Sequence, residues 1–178
     1  NDSEAYRESR TALLVQEIEL RRQIERVAAL RRALPPGGEI PRDYEFINEQ
    51  GASVRLSDMF ADSDTLITYF WMFGPERKRP CPYCTLQLAA IEGNARDIAQ
   101  CVPLAIIGRS PIRRQIDFKQ ERGWRHLKFF EAVGDDFPRD YHGLDADGDE
   151  MGAFTVFVRQ GGTIRLFCGA QLGLDTCD

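Results

Sequence analysis

Two things are scarce in this chain of 178 residues: histidine, with 2 residues, and any surplus of positive charge, with 23 Lys and Arg against 28 Asp and Glu. A net charge of -5 creates no field that would gather nucleic acid or an anionic bilayer surface, so generic binding to either is disfavoured. Long apolar runs are also missing. The longest, Leu66 to Phe73, carries Thr68 and Tyr69 and falls far short of the roughly 20 residues that span a bilayer. The heavily charged first stretch does not read as a signal peptide, and the expectation is a cytoplasmic protein with no membrane partner. Cysteine is present, but its 5 residues form no paired framework of the kind that staples small secreted domains. What remains is an ordinary globular composition, 43% hydrophobic and 29% charged, which excludes disorder and leaves room for one packed domain with an appended element.

The appended element is a helix. Ser3 supplies an N-cap, an Arg/Glu/Leu-rich stretch follows to Leu34, and Pro35, Pro36, Gly37 and Gly38 stop it. Leu13, Leu20, Val27 and Leu34 recur every seven residues with Ile24 between them, while Glu17 and Arg31 interrupt the second row. Such a rod is roughly 45 Å long, at about 1.5 Å per residue. It either meets a second copy, making a homodimer, or lies across its own domain with a solvated charged face. The expected division is 1–38 for helix and linker and 39–178 for the domain.

The rest alternates strands and helices. A hairpin joins Tyr44–Ile47 to Ser53–Leu56 around Asn48-Glu49-Gln50-Gly51, and a capped turn follows at Ser57–Phe60. Leu66–Phe73 is apolar on both alternating faces, as a strand covered on both sides requires. A loop from Gly74 to Pro80 leads to Cys81-Pro82-Tyr83-Cys84 and a helix to about Gln100, with Gly93 its weak point. Val102–Gly108 is a second strand, Ser110-Pro111 opens a helix to Arg122, and Leu127–Phe130 is a third strand, giving parallel units of an α/β fold. Ala153–Arg159 and Thr163–Phe167 close the sheet as a hairpin.

The chemistry lies in the dithiol. Positions i and i+3 share one face of a helix's first turn, so Cys81 and Cys84 can bridge and open with little backbone change. A thiolate at a helix N-terminus is stabilised by unpaired N–H groups, which favours Cys81 as nucleophile and the deeper Cys84 as resolving thiol. Arg77, Lys78 and Arg79 add positive charge and offer a landing site for an anionic substrate. Pro82 and Tyr83, between the cysteines, belong to the same substrate-binding surface. Three other readings stay open: a zinc site, although a lone Cys-x-x-Cys is half of one; an iron–sulfur cluster bridged across a dimer; and a purely structural dithiol in an interaction module.

The run Val54–Phe60, then Leu66–Trp71, then Cys81-Pro82-Tyr83-Cys84 resembles the thioredoxin-like superfamily, in particular its peroxiredoxin-like and cytochrome-maturation branches. More closely, Tyr69–Pro75, Arg79–Pro82, Ala95-Arg96-Asp97, Arg109-Ser110-Pro111, Glu121–Arg125 and Arg139–His142 are similar to a bacterial family of unknown function described as predicted dithiol-disulfide oxidoreductases. The resemblance covers nearly the whole chain, and members of that family often continue past Asp178. It implies a central mixed sheet flanked by helices, exchange with a protein disulfide or a small thiol, and no organic cofactor. It also implies departures: Ala153 stands where thioredoxins carry the cis-proline of the substrate groove, Pro80 where they carry Trp, and Lys78 where peroxiredoxins carry an activating hydroxyl.

Lesser signals read as structure. Asp145–Glu150 starts like a calcium loop but has Glu150 at the glycine position, so an acidic solvated turn is expected. Asp140-Tyr141-His142 reads as a structural contact, Trp71, Phe73 and Trp124 as core, Cys101 and Cys168 as buried inert thiols, and Cys177 as an exposed one.

Overall fold

A computed structural model describes residues 2–35 and 37–171, in two units, 1–36 and 37–178. The first unit is helix α1 (Glu4–Arg32), capped by the Ser3 side chain, which accepts from the Tyr6 N–H at 3.2 Å, and closed with Arg31 and Arg32 against its negative end. It buries none of its own residues.

The second unit is built on a seven-stranded mixed sheet. Its strands are β1 (Glu45–Asn48), β2 (Ser53–Arg55), β3 (Thr65–Phe70), β4 (Leu104–Gly108), β5 (Lys128–Ala132), β6 (Ala153–Gln160) and β7 (Thr163–Gln171), in the order β2-β1-β5-β4-β3-β6-β7. β3, β4 and β5 are parallel, as the alternation predicts, and the two terminal hairpins run antiparallel to them. Helices α2 (Pro82–Glu92), α3 (Ala95–Cys101) and α4 (Ile112–Glu121) make the parallel crossovers.

Alternation along β3 sorts the core into two clusters. Leu66 and Phe70 join Phe46, Ile107 and Phe157 on one face, whereas Tyr69 and Trp71 join Ile106, Phe129 and the helical residues Cys84, Leu88 and Phe118 on the other. Trp71, Phe73 and Trp124 are core, as expected. Within this unit, no full-length helix among the described residues covers the first face. A 3-10 turn (Leu56–Phe60) and α5 (Asp136–Asp140) cover it, contributing Phe60 and Phe137.

Several boundaries differ from expectation: α1 ends at Arg32 rather than Leu34, β7 runs on to Gln171, and three more have a local cause. The helix after Cys84 breaks at Gly93 and Asn94 and resumes to Cys101. β4 starts later than Val102, because Pro103 cannot donate and holds Val102 extended at φ -157°, ψ 137°. β3 ends at Phe70, and the Phe73 N–H turns back onto the Trp71 carbonyl at 2.8 Å.

Among the described residues, no helix is long and apolar enough to cross a membrane.

Candidate functional site

The end of β3 delivers the chain to the dithiol. Cys81 is the N-cap of α2, Pro82 occupies its first turn, where a missing N–H costs nothing, and the Cys81 N–H donates to the Met72 carbonyl at 3.0 Å. The Cys81 carbonyl accepts from the Thr85 N–H at 3.0 Å and from its hydroxyl at 2.9 Å, which pins the first turn. Both thiols are unbridged. They are not equivalent: Cys81 is half-buried, while Cys84, one turn deeper, is 2% exposed. Burial pushes the Cys84 thiol up, partly offset by the Met72 backbone and by the nearby Tyr69 hydroxyl.

The loop before Cys81 is tied down by residues far away in sequence. Glu150 Oε2 accepts from the Gly74 N–H at 3.0 Å and from Arg77 Nε at 2.8 Å, and Arg109 lies 3.8 Å from its other oxygen. Ser110 Oγ donates to the Gly74 carbonyl at 3.0 Å, and Arg114 donates to the carbonyls of Pro75 and Arg77. A Cβ on Gly74 would stand 2.5 Å from Glu150 Oε1, so the close approach requires glycine there.

The residues expected to bind substrate are distributed unevenly. Pro82 and Tyr83 are exposed beside Cys81, with Leu86 exposed one turn on. Arg77 pairs with Glu150 and Arg79 with Glu121, so two members of the basic cluster are already neutralised. Lys78 is exposed and has no ion-pair partner among the described residues. Ala153 is not brought to the dithiol: it is 1% exposed and packs in the Phe70 cluster, on the sheet face away from Cys84. Its neighbour Phe154, half-buried, points to the dithiol face and packs on Tyr69 with ring centroids 4.5 Å apart. Strand alternation explains the exchange, since residues 153 and 154 must face opposite ways.

Two further expectations are corrected. Cys101 and Cys168 are exposed rather than buried, because α3 ends at Cys101 and β7 is the sheet's edge. Glu150 is not part of a solvated turn but a buried carboxylate, while Asp145, Asp147 and Asp149 do form the acidic turn. Cys177 lies outside the described residues. Asp140 accepts from the Tyr44 hydroxyl and Tyr141 is core, so that run is a structural contact, as expected.

Among the described residues, no group of three or more His, Cys, Asp or Glu is arranged to hold a metal ion. An apolar cavity of about 290 Å³ lies at the N-terminal ends of β4 and β5, lined by Val54, Met59, Leu104 and Phe130 and by none of the dithiol residues.

Solved structures share the architecture. A cysteine-to-serine mutant of Xylella fastidiosa PrxQ is 10% identical with a TM-score of 0.59, over 78% of this chain and 86% of that one. Peroxidoxin BcpB from Mycobacterium tuberculosis is 19% identical with a TM-score of 0.51, over 78% and 86%. BsSco, of the Sco family of cytochrome c oxidase assembly proteins, is 13% identical with a TM-score of 0.51, over 79% and 87%. At such identities the likeness carries the fold, which is thioredoxin-like. No curated protein matches the sequence. Residues 1–175 match the bacterial proteins of unknown function grouped as DUF899, and the chain belongs to that family.

Proposed function

We propose that this protein is a dithiol-disulfide oxidoreductase whose nucleophile is Cys81 and whose resolving thiol is Cys84. The observation that carries this reading is the asymmetry of the pair: one accessible thiol at a helix N-cap and one buried a turn deeper. The Cys81 thiolate attacks a substrate disulfide, a Cys81–substrate bond forms, and the first substrate sulfur leaves with the electron pair and takes a proton. Cys84 then attacks Cys81, closes the intramolecular disulfide and releases the second sulfur as a thiol. The substrate disulfide is the oxidant, and it leaves as two thiols.

The substrate class is a protein disulfide or a small disulfide. Pro82, Tyr83 and Leu86 give it an apolar rim, Phe154 takes the place expected of Ala153, and Lys78 remains to meet an anionic group. Lys78 also separates this chain from a peroxidase reading, because no hydroxyl stands three residues before Cys81. The unpaired cysteine count suits the reducing cytoplasm. In the same proposal, 1–38 is an accessory helix with its linker and 39–178 the working domain.

The test is equilibration across a dithiothreitol redox series, with alkylated Cys81 and Cys84 mapped by mass spectrometry. A reversible two-electron transition between roughly -120 and -270 mV supports exchange. A pair that stays oxidised below about -300 mV, or never bridges, identifies a structural dithiol instead.

A further inference from the structure

A buried hydroxyl lies beside the resolving thiol without a function so far. Tyr69 is fully buried in β3, in the same cluster as Cys84, and among the described residues its hydroxyl meets no partner in full hydrogen-bonding geometry, the group it acts on being the Cys84 thiol. A tyrosine hydroxyl in an apolar core normally finds a partner, because leaving it unpaired costs on the order of 1–3 kcal/mol. A phenylalanine would fill the same space without that cost. Besides burial, the groups that act on the hydroxyl are the Cys84 thiol, through charge and hydrogen bonding, and then Cys81 and Tyr83, all contributed by the segment that opens α2. Phe154, packed on the ring from β6, carries no charge.

We infer that Tyr69 is the positioning residue for resolution, its hydroxyl donating a hydrogen bond to Cys84 Sγ when that sulfur becomes the attacking thiolate. The inference rests on the exchange reading above and deepens it. Cys84 has to ionise where water is excluded, and an anion without a donor is strongly disfavoured there. Tyr69 remains protonated, since burial and the neighbouring thiols push its hydroxyl up, and it serves as donor rather than base. In the step itself Cys84 Sγ attacks Cys81 Sγ, the Cys81–substrate bond breaks, and its electron pair leaves on the substrate sulfur. The proton given up by Cys84 passes to the leaving substrate sulfur, or to bulk solvent when that sulfur departs as a stable thiolate. The first attack, by Cys81, needs no help from Tyr69.

The experiment uses the full chain with Cys101→Ser, Cys168→Ser and Cys177→Ser, reduced and mixed with one equivalent of 5,5′-dithiobis(2-nitrobenzoate). Attack by Cys81 releases a first coloured thiolate, and resolution by Cys84 releases a second. Tyr69→Phe is expected to leave the first phase unchanged, to slow the second about ten- to a hundredfold, and to move its pH profile to higher pH. Near-UV circular dichroism checks that the variant is folded. If it is not, replacing tyrosine with 3-fluorotyrosine, a stronger donor, should move the second phase of the otherwise unaltered chain to lower pH. A second phase with unchanged rate and profile in the folded Phe variant overturns the Tyr69 role and leaves the exchange reading standing. Unmoved pH dependence in the fluorinated chain does the same. Absence of any second release from the chain with Tyr69 intact overturns the exchange reading, and the Tyr69 role with it.

Discussion

At the scale of single residues, the two thiols make opposite predictions. Cys81→Ser removes the only attacking sulfur and should abolish exchange, whereas Cys84→Ser leaves attack intact and should accumulate a mixed disulfide with substrate. Mass spectrometry of the adduct checks this, and equal residual exchange in both variants contradicts the assignment. Burial of Cys84 also sets a pH dependence of stability. Its folded-state pKa lies above its unfolded value, so the native state holds the proton more tightly. That contribution is fully present below about pH 8.5 and is lost as pH rises toward the folded value. Urea midpoints of the reduced protein should therefore fall faster above that pH than those of Cys84→Ala; parallel slopes would refute it. Tyr69 has a different lesson. It stands in the apolar run the sequence displays, but the direction of its hydroxyl depends on where α2 lands, and no spacing along the chain reports that.

At the scale of elements, the loop before Cys81 is shaped by Glu150, which sits 73 residues beyond Arg77. Glu150→Ala would leave the Gly74 N–H and Arg77 without their acceptor and should destabilise the domain by about 2–3 kcal/mol, read from urea unfolding. It should also slow Cys81 attack by loosening the loop, while Glu150→Gln, which keeps an acceptor for Gly74, should cost less. Equal losses in the two variants would argue that only the ion pair counts. This contact marks the limit of what was legible. β3, β4 and the two hairpins could be read because alternation and turn residues are local signals, and the dithiol because its spacing is itself the chemistry. The five residues of α5 are too few to display a helical period, although they bring Phe137 into the core. Glu150 looked like a loop acid because its partners come from other segments, and Ala153 looked like a groove residue because its face depends on the register with Phe70. Gln115 shows the same blindness: fully buried in α4, it accepts from Trp71 Nε1 at 3.2 Å and donates to the Ser110 carbonyl at 2.7 Å, joining the segment just after β3 to the turn after β4.

At the scale of the molecule, α1 poses the question of what covers its apolar stripe. Leu13, Leu20, Ile24 and Leu30 are all more than half exposed, at 53%, 61%, 58% and 68%. Most helical stability in proteins comes from packing of an amphipathic face, which the exposed ion pairs Arg10–Glu17 and Arg22–Glu19 only supplement. The seven-residue spacing of Leu13, Leu20, Val27 and Leu34 is the spacing that a second helix of the same kind can match along its length. The expected outcome is a homodimer joined through α1. Light scattering at tens of micromolar should give twice the chain mass of 20.3 kDa, and Leu20→Glu with Ile24→Glu should return it to one chain mass. Because those residues lie outside the dithiol unit, the released monomer should keep the rate at which Cys81 attacks a small disulfide. A native protein that is strictly monomeric at that concentration would remove the dimer. A dimer that survives both substitutions would assign the interface to the sheet domain instead of the helix.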